Sequence, residues 1–213
     1  MLLGPFVDLK NNAVTNADKS FSRQWLEFAK TVAAKVENMD VSVIMMSSAR
    51  DAMGYPVYPQ PAVQHNDCYS SNMKTVSDPA VLDIGGVQVA VTSTDILFHL
   101  GKEEISYPPR NGDRMSRLAS HLLQQGSMYP LYPASEEINL DLERLEQFGM
   151  LDQTPHIMLL PSDLNTFVRE VSGVTVINPG RLTKGSGPGT YSLLKMRKGE
   201  GGKLETRAEI IRI

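Results

Sequence analysis

Apolar and polar positions along the chain fall into two periods, and each period predicts its own elements. Phe21, Trp25, Phe28, Val32 and Val36 recur at spacings of three and four, one stripe of an amphipathic helix, with Asp18 or Ser20 available as N-cap. Met115, Leu118, Leu122 and Leu123 mark a second helix ending near Gly126, and "STDILFHLG" reads as a short capped helix closed by Gly101. "VSVIMM", residues 41–46, is continuously apolar and partly β-branched, the pattern of a strand buried on both faces. "MLLGPFVD" opens the chain with a short strand that already ends at Gly4-Pro5. Strand, helix and strand in that order predict a βαβ unit.

Further along, "VLDIGGVQVAVTS" gives two β-rich runs around Gly85-Gly86, a two-residue hairpin signal. Runs near 157–160, 174–177, 190–196 and 209–213 read as strands, the last two meeting across the Gly-rich "RKGEGGK". Between the first two of these lies a short, polar, helix-like segment that Ser162 or Asp163 would cap. Residues 52–79, rich in Tyr, Pro, Asn, Ser and Asp, read as one long irregular loop, and loops of that length are usually functional or disordered. "SMYPLYP" is a second Pro-Tyr loop. There is no internal repeat or heptad array. The elements predict an α/β fold with a mixed sheet or a pair of sheets.

Composition narrows the function classes. With 213 residues, 41% apolar and 21% charged, the chain is long enough for one large or two small domains with an ordinary core. A net charge of −3 leaves no overall basic footprint for wrapping nucleic acid. Cys68 is the only cysteine, so no internal disulfide forms, and it reads as a buried, inert thiol. No apolar run approaches the ~20 residues of a membrane helix, so the chain reads as soluble and unexported.

The candidate chemistry is sparse. Asp8 and Asp51 each follow a predicted strand, where α/β folds place ligands and metals, although each is equally suited to capping a turn. Two carboxylates without histidine make a poor transition-metal site. His65, His99, His121 and His156 lie in no His-x-His or HExxH context and read as surface or packed residues. There is no G-x-S-x-G elbow, and "GRLTKGSGPGTY" leads into a strand rather than a helix, so it reads as a hairpin and not a P-loop. The loops "YPVYPQP" and "MYPLYP" carry Tyr55, Tyr58, Tyr129 and Tyr132, rigid amphipathic groups suited to a protein interface or to pinning the loops onto the domain.

Taken in order, "LLGPFVD", "SSARD" with "YPVYPQP", "TSTDILFHLG", "YPLYP" and "LLPSDLNTFVREVSGVTVINPGRLTKG" resemble the B-subunit family of eukaryotic DNA polymerase alpha. The likeness covers nearly the whole chain. It departs in residues 11–20, 66–76 and after Arg197. It implies a calcineurin-like phosphoesterase fold, two facing mixed β-sheets flanked by helices, used as a scaffold with its metal site degenerate.

By resemblance, "GPFVD" looks like a two-aspartate metal motif with Pro5 in place of the first aspartate and Asp8 kept. "SARD" looks like a second motif with Asp51 kept and Arg50 where histidine stands in active members. "PSDL", residues 161–164, lies where a Gly-His-x-His would precede Asn178-Pro179-Gly180. The resemblance therefore implies no catalytic residue, no cofactor and no metal, with Asp8 and Asp51 vestigial. It also implies that residues 1–213 are one inactive phosphoesterase-like domain truncated at its amino-terminal side, with an oligonucleotide-binding-fold domain upstream.

The expected partners are the carboxy-terminal zinc-binding module of the polymerase catalytic subunit and, indirectly, the primase subunits, with weak or indirect DNA contact, in the nucleus. Two alternatives stay open, a residual metal-dependent phosphoesterase using Asp8 and Asp51, and the equivalent subunit of another replicative polymerase.

Overall fold

Ser20 starts the long helix: its side chain accepts the Arg23 N–H at 3.4 Å, which leaves Asp18 outside the cap. The computed structural model describes residues 1–63, 72–107, 113–184, 187–199 and 204–213. Cys68 and His65 lie outside the described residues. The chain divides into two compact units, one formed by residues 1–80 and 134–149, the other by residues 81–133 and 150–213.

The first unit holds a three-stranded parallel sheet in the order β1 (Leu2–Leu3), β2 (Val43–Met46), β3 (Met73–Val76). A single turn α1 (Asn12–Thr15) and the predicted helix α2 (Phe21–Val36) join β1 to β2. β1 and β2 run parallel across that helix, as a βαβ unit requires. From Trp25 onward the apolar stripe of α2 does what its spacing predicts, while Phe21 at its start is exposed. Trp25 is buried with Val7, Met45 and Met73, while Phe28, Val32 and Val36 pack against that cluster. Phe6 stacks on Phe28 at 5.0 Å between centroids and meets Trp25 edge-on at 5.5 Å, so the segment after β1 is held down by the helix.

β3 corrects one expectation, because residues 52–79 are not all loop. "MKTV" pairs in parallel with β2 from Val43↔Met73 to Met46↔Val76. Its signal was weak because a single lysine and a four-residue length hide inside a polar stretch.

The second unit is built on a five-stranded mixed sheet in the order β4-β5-β6-β8-β7. β4 (Ala80–Ile84) and β5 (Val87–Val91) are joined by Gly85-Gly86, both at positive φ (63° and 83°), the backbone that a two-residue hairpin turn needs. After β5 come α3 (Ile96–Glu103) and α4 (Arg114–Gln125), then β6 (Ile157–Leu159), β7 (Phe167–Val171) and β8 (Val174–Asn178). α3 continues two residues past Gly101, and Arg114 of α4 donates to the Gly101 carbonyl at 2.6 Å. Arg117 adds a two-pronged bond to Glu104 at 2.9 and 3.0 Å, tying the helices together.

β5, β6 and β8 are parallel, and β7 returns antiparallel on β8 through Ser172 and Gly173. The segment expected to be a short helix capped by Ser162 or Asp163 is therefore largely strand. Phe167 and Val171 are its buried ends, and the polar residues between them face outward at the sheet's edge. The hydrophilic edge imitated a helix's polar face in the sequence.

Two small ribbons follow. β9 (Thr183–Lys184) pairs with β10 (Gly187–Pro188), and β11 (Thr190–Lys198) pairs with β12 (Leu204–Arg212) over nine residues. Leu194, Met196, Leu204 and Ala208 of the long ribbon pack against a core of Val87, Val89, Ile157 and Ile177. The helix α5 (Leu142–Phe148), which belongs to the first unit, has no counterpart in the predicted elements.

Candidate functional site

Asp8 and Asp51 come together, but not as an open pair of ligands. They form an antiparallel bridge, with Leu9 N–H donating to the Arg50 carbonyl at 3.2 Å and Ala52 N–H to the Val7 carbonyl at 3.0 Å. Asp51 is buried at 2% exposure. One carboxylate oxygen accepts the N–H groups of Phe6 at 2.6 Å and Val7 at 2.7 Å, and the other accepts that of Ser48 at 2.9 Å.

Burial pushes the Asp51 carboxyl above the usual aspartate value, against the lowering pull of those three N–H groups, and the charge of Asp8 adds to the rise. Gly4 explains how the carboxylate fits. A Cβ there would sit 2.5 Å from Asp51 Oδ2 and 2.8 Å from Ser48 N, so the backbone of "LLG" approaches closer than any side chain allows.

Asp8 is engaged differently. One oxygen accepts the Lys10 N–H at 2.9 Å, and the other takes a short ion pair from the Arg50 guanidinium. The cation standing on Asp8 is thus the chain's own. Among the described residues, no three His, Cys, Asp or Glu side chains converge in a group able to hold a metal ion.

In the second unit the carboxyl ends of β6 and β8 are knotted by Asn178. It is fully buried, and its carbonyl oxygen accepts Ser162 N–H and Gly180 N–H, each at 2.9 Å. Its amide donates to the carbonyls of Leu164 at 3.2 Å and Asn165 at 3.1 Å. Every hydrogen-bonding position of the amide is filled, so Asn178 fixes the course of both loops. Gly180 sits at φ 71°, and a Cβ on it would meet Thr190 Oγ1 at 2.6 Å and Thr166 Cγ2 at 2.7 Å. Asp163, expected near vanished ligands, pairs with Arg181, and its N–H donates to Asp95 at 2.7 Å while Asp95 caps α3. In the sequence Asn178 stands out only as part of the Asn-Pro-Gly motif; its fourfold bonding has no signature in one sequence.

The remaining candidates disperse. His99 is buried with its Nδ1 3.2 Å from the Tyr129 hydroxyl, His121 lies 3.4 Å from Glu104, and His156 Nδ1 accepts the Gln88 N–H at 3.0 Å. The four tyrosines split. Tyr58 and Tyr129 are buried and pin their loops, Tyr58 pairing its backbone with the segment around Leu140. Tyr55 and Tyr132 are 61% and 77% exposed.

The geometry thus defines an α/β protein whose strand-end carboxylates serve its own backbone and its own arginine. The sequence profile of the DNA polymerase alpha/epsilon B-subunit family matches residues 1–169, and the chain belongs to that family. It is similar to the mouse DNA polymerase alpha B subunit, 36% identical over 225 residues covering 100% of this chain and 38% of that protein. The fruit-fly protein of the same name is 35% identical, over 90% of this chain and 31% of its own length. The fission-yeast one is 32% identical, over 100% and 41%. The chain spans less than half the length of these relatives.

Proposed function

We propose that the chain is part of a non-catalytic accessory subunit of the DNA polymerase alpha and primase complex, acting in the initiation of replication in the nucleus. The observation that carries the reading is the engagement of Asp8 and Asp51. Both residues match phosphoesterase metal motifs, and both are occupied by protein donors, three backbone N–H groups on one and Arg50 on the other. A bimetal hydrolase works by clamping phosphate and acidifying bound water, and the donors on these oxygens compete with the metal ions it needs.

On this reading the fold is a calcineurin-like phosphoesterase fold with a degenerate metal site, and residues 1–213 are its inactive, amino-terminally truncated domain. An oligonucleotide-binding-fold domain lies upstream. The domain holds the carboxy-terminal zinc-binding module of the catalytic subunit and links indirectly to primase. The exposure of Tyr55 and Tyr132 supports a role for these two tyrosines in such contact. The net charge of −3 fits a protein partner better than DNA.

Co-expression of the whole subunit with that module tests this directly. Stoichiometric co-purification is expected, and clean failure to associate overturns the reading. The juxtaposition of Asp8 and Asp51 favours one rival, a residual metal-dependent phosphoesterase. An anomalous manganese peak between the two carboxylates, with turnover lost in Asp51→Asn, would establish it instead.

A further inference from the structure

Helix α5 has no buried residue, unlike α2, α3 and α4. Leu142, Leu145 and Phe148 follow one another at steps of three, about 60° apart around the axis, and so form an apolar stripe. Such a stripe ordinarily faces a core. Here Leu142 and Phe148 are 52% and 59% exposed, and only Leu145 is half-buried.

A seven-residue helix is well below the ~12–15 residues at which isolated helices become even marginal in water. α5 persists because its amino-terminal end is fastened. Asp141 caps it through the Arg144 N–H at 3.1 Å, and Asp141 N–H itself donates to the Tyr58 carbonyl at 2.8 Å. Asn139 N–H₂ donates to the Pro56 carbonyl at 2.8 Å, which ties the loop of exposed Tyr55 to the same segment.

The segment is also strongly acidic. Glu136, Glu137, Asp141, Glu143 and Glu146 stand against Arg144 alone, five minus one, a net −4 within a chain of net −3. Glu137 approaches Lys10 at 3.7 Å and Asp141 approaches Arg144 at 3.2 Å. Glu136, Glu143 and Glu146 are exposed and make no ion pair among the described residues.

We propose that the exposed stripe of α5, bordered by Glu146 within this acidic segment, docks a basic amphipathic segment of the catalytic subunit. For the identity of that chain the inference rests on the function proposed above. A lysine- or arginine-bearing apolar segment satisfies both features of the face, area and charge. A second copy would set carboxylate against carboxylate, and a phosphate backbone would be repelled.

The test uses the whole subunit with the catalytic subunit. Leu142→Ser with Phe148→Ser lowers affinity about 30-fold, the loss expected for truncating interface anchors. Glu146→Lys lowers it about fivefold at low salt and weakens its salt dependence. These side chains are exposed, so the thermal midpoint of each variant stays near the parent's. Zero-length carbodiimide cross-linking joins Glu146 to a lysine of the catalytic subunit. The proposal is overturned if both variants bind within about twofold of the parent and the Glu146 carboxylate cross-links only within or between copies of this chain. If the parent itself fails to bind, it is the proposed function that falls.

Discussion

Asp51 acts as the acceptor that closes the turn after β2 onto the segment after β1, and removing its oxygens should show this. Asp51→Ala leaves the N–H groups of Phe6, Val7 and Ser48 without their acceptor. Val7 and Ser48 are buried, and each orphaned buried donor costs about 1–3 kcal/mol. Phe6 is half-buried and recovers part of its loss from water, while deleting a desolvated carboxylate returns some stability. The net expectation is a loss of about 2–4 kcal/mol.

Asp51→Asn should cost less, about 1–2 kcal/mol. Its oxygen still serves Phe6 and Val7, but its amide presents a donor to the Ser48 N–H. Urea denaturation with an unchanged slope measures both variants. The reasoning is refuted if Asp51→Ala loses less than about 1 kcal/mol, or if the asparagine costs more than the alanine.

Three further outcomes are expected. Because burial raises the Asp51 carboxyl, the folded chain binds that proton more tightly than the unfolded chain does, so this group's contribution to stability falls as pH rises from the usual aspartate value through the raised one. Urea melts of parent and Asp51→Asn between about pH 4 and pH 7 check this: their difference in stability should shrink or hold as pH rises, and a growing difference contradicts it. Asn178→Ala orphans Ser162 N–H and three partly exposed groups and should cost about 2–4 kcal/mol by urea denaturation. Gly180→Ala forces a side chain at φ 71° against Thr166 and Thr190 and should cost about 1–3 kcal/mol, read as a lowered thermal midpoint.

The elements with a strong period were legible in the sequence. The stripe from Trp25 to Val36, the apolar run of β2 and the Gly85-Gly86 turn each appear where their local chemistry puts them, because burial on one helical face, burial between two strands and positive φ each constrain residue type. The elements missed are those whose side chains carry little of that constraint. β7 shows its polar middle at a sheet edge, β3 is four residues long, and α5 buries none of its residues, so tertiary hydrogen bonds decide them.

The candidate site divides in the same way. Asp8, Asp51 and Asn178 were visible as motif residues. What occupies them was not, because Arg50 on Asp8 and the three N–H groups on Asp51 depend on how two strand ends meet. The tyrosines show the same limit, since "YPVYP" and "MYPLYP" read alike while each loop buries one ring and exposes the other.

The central claim is that these strand ends are kept as the frame of a scaffold. Size-exclusion chromatography of the whole subunit mixed with the partner module proposed above tests it most directly. The account predicts a single co-eluting species of equal stoichiometry, and separate elution of the two components at micromolar concentration would contradict it.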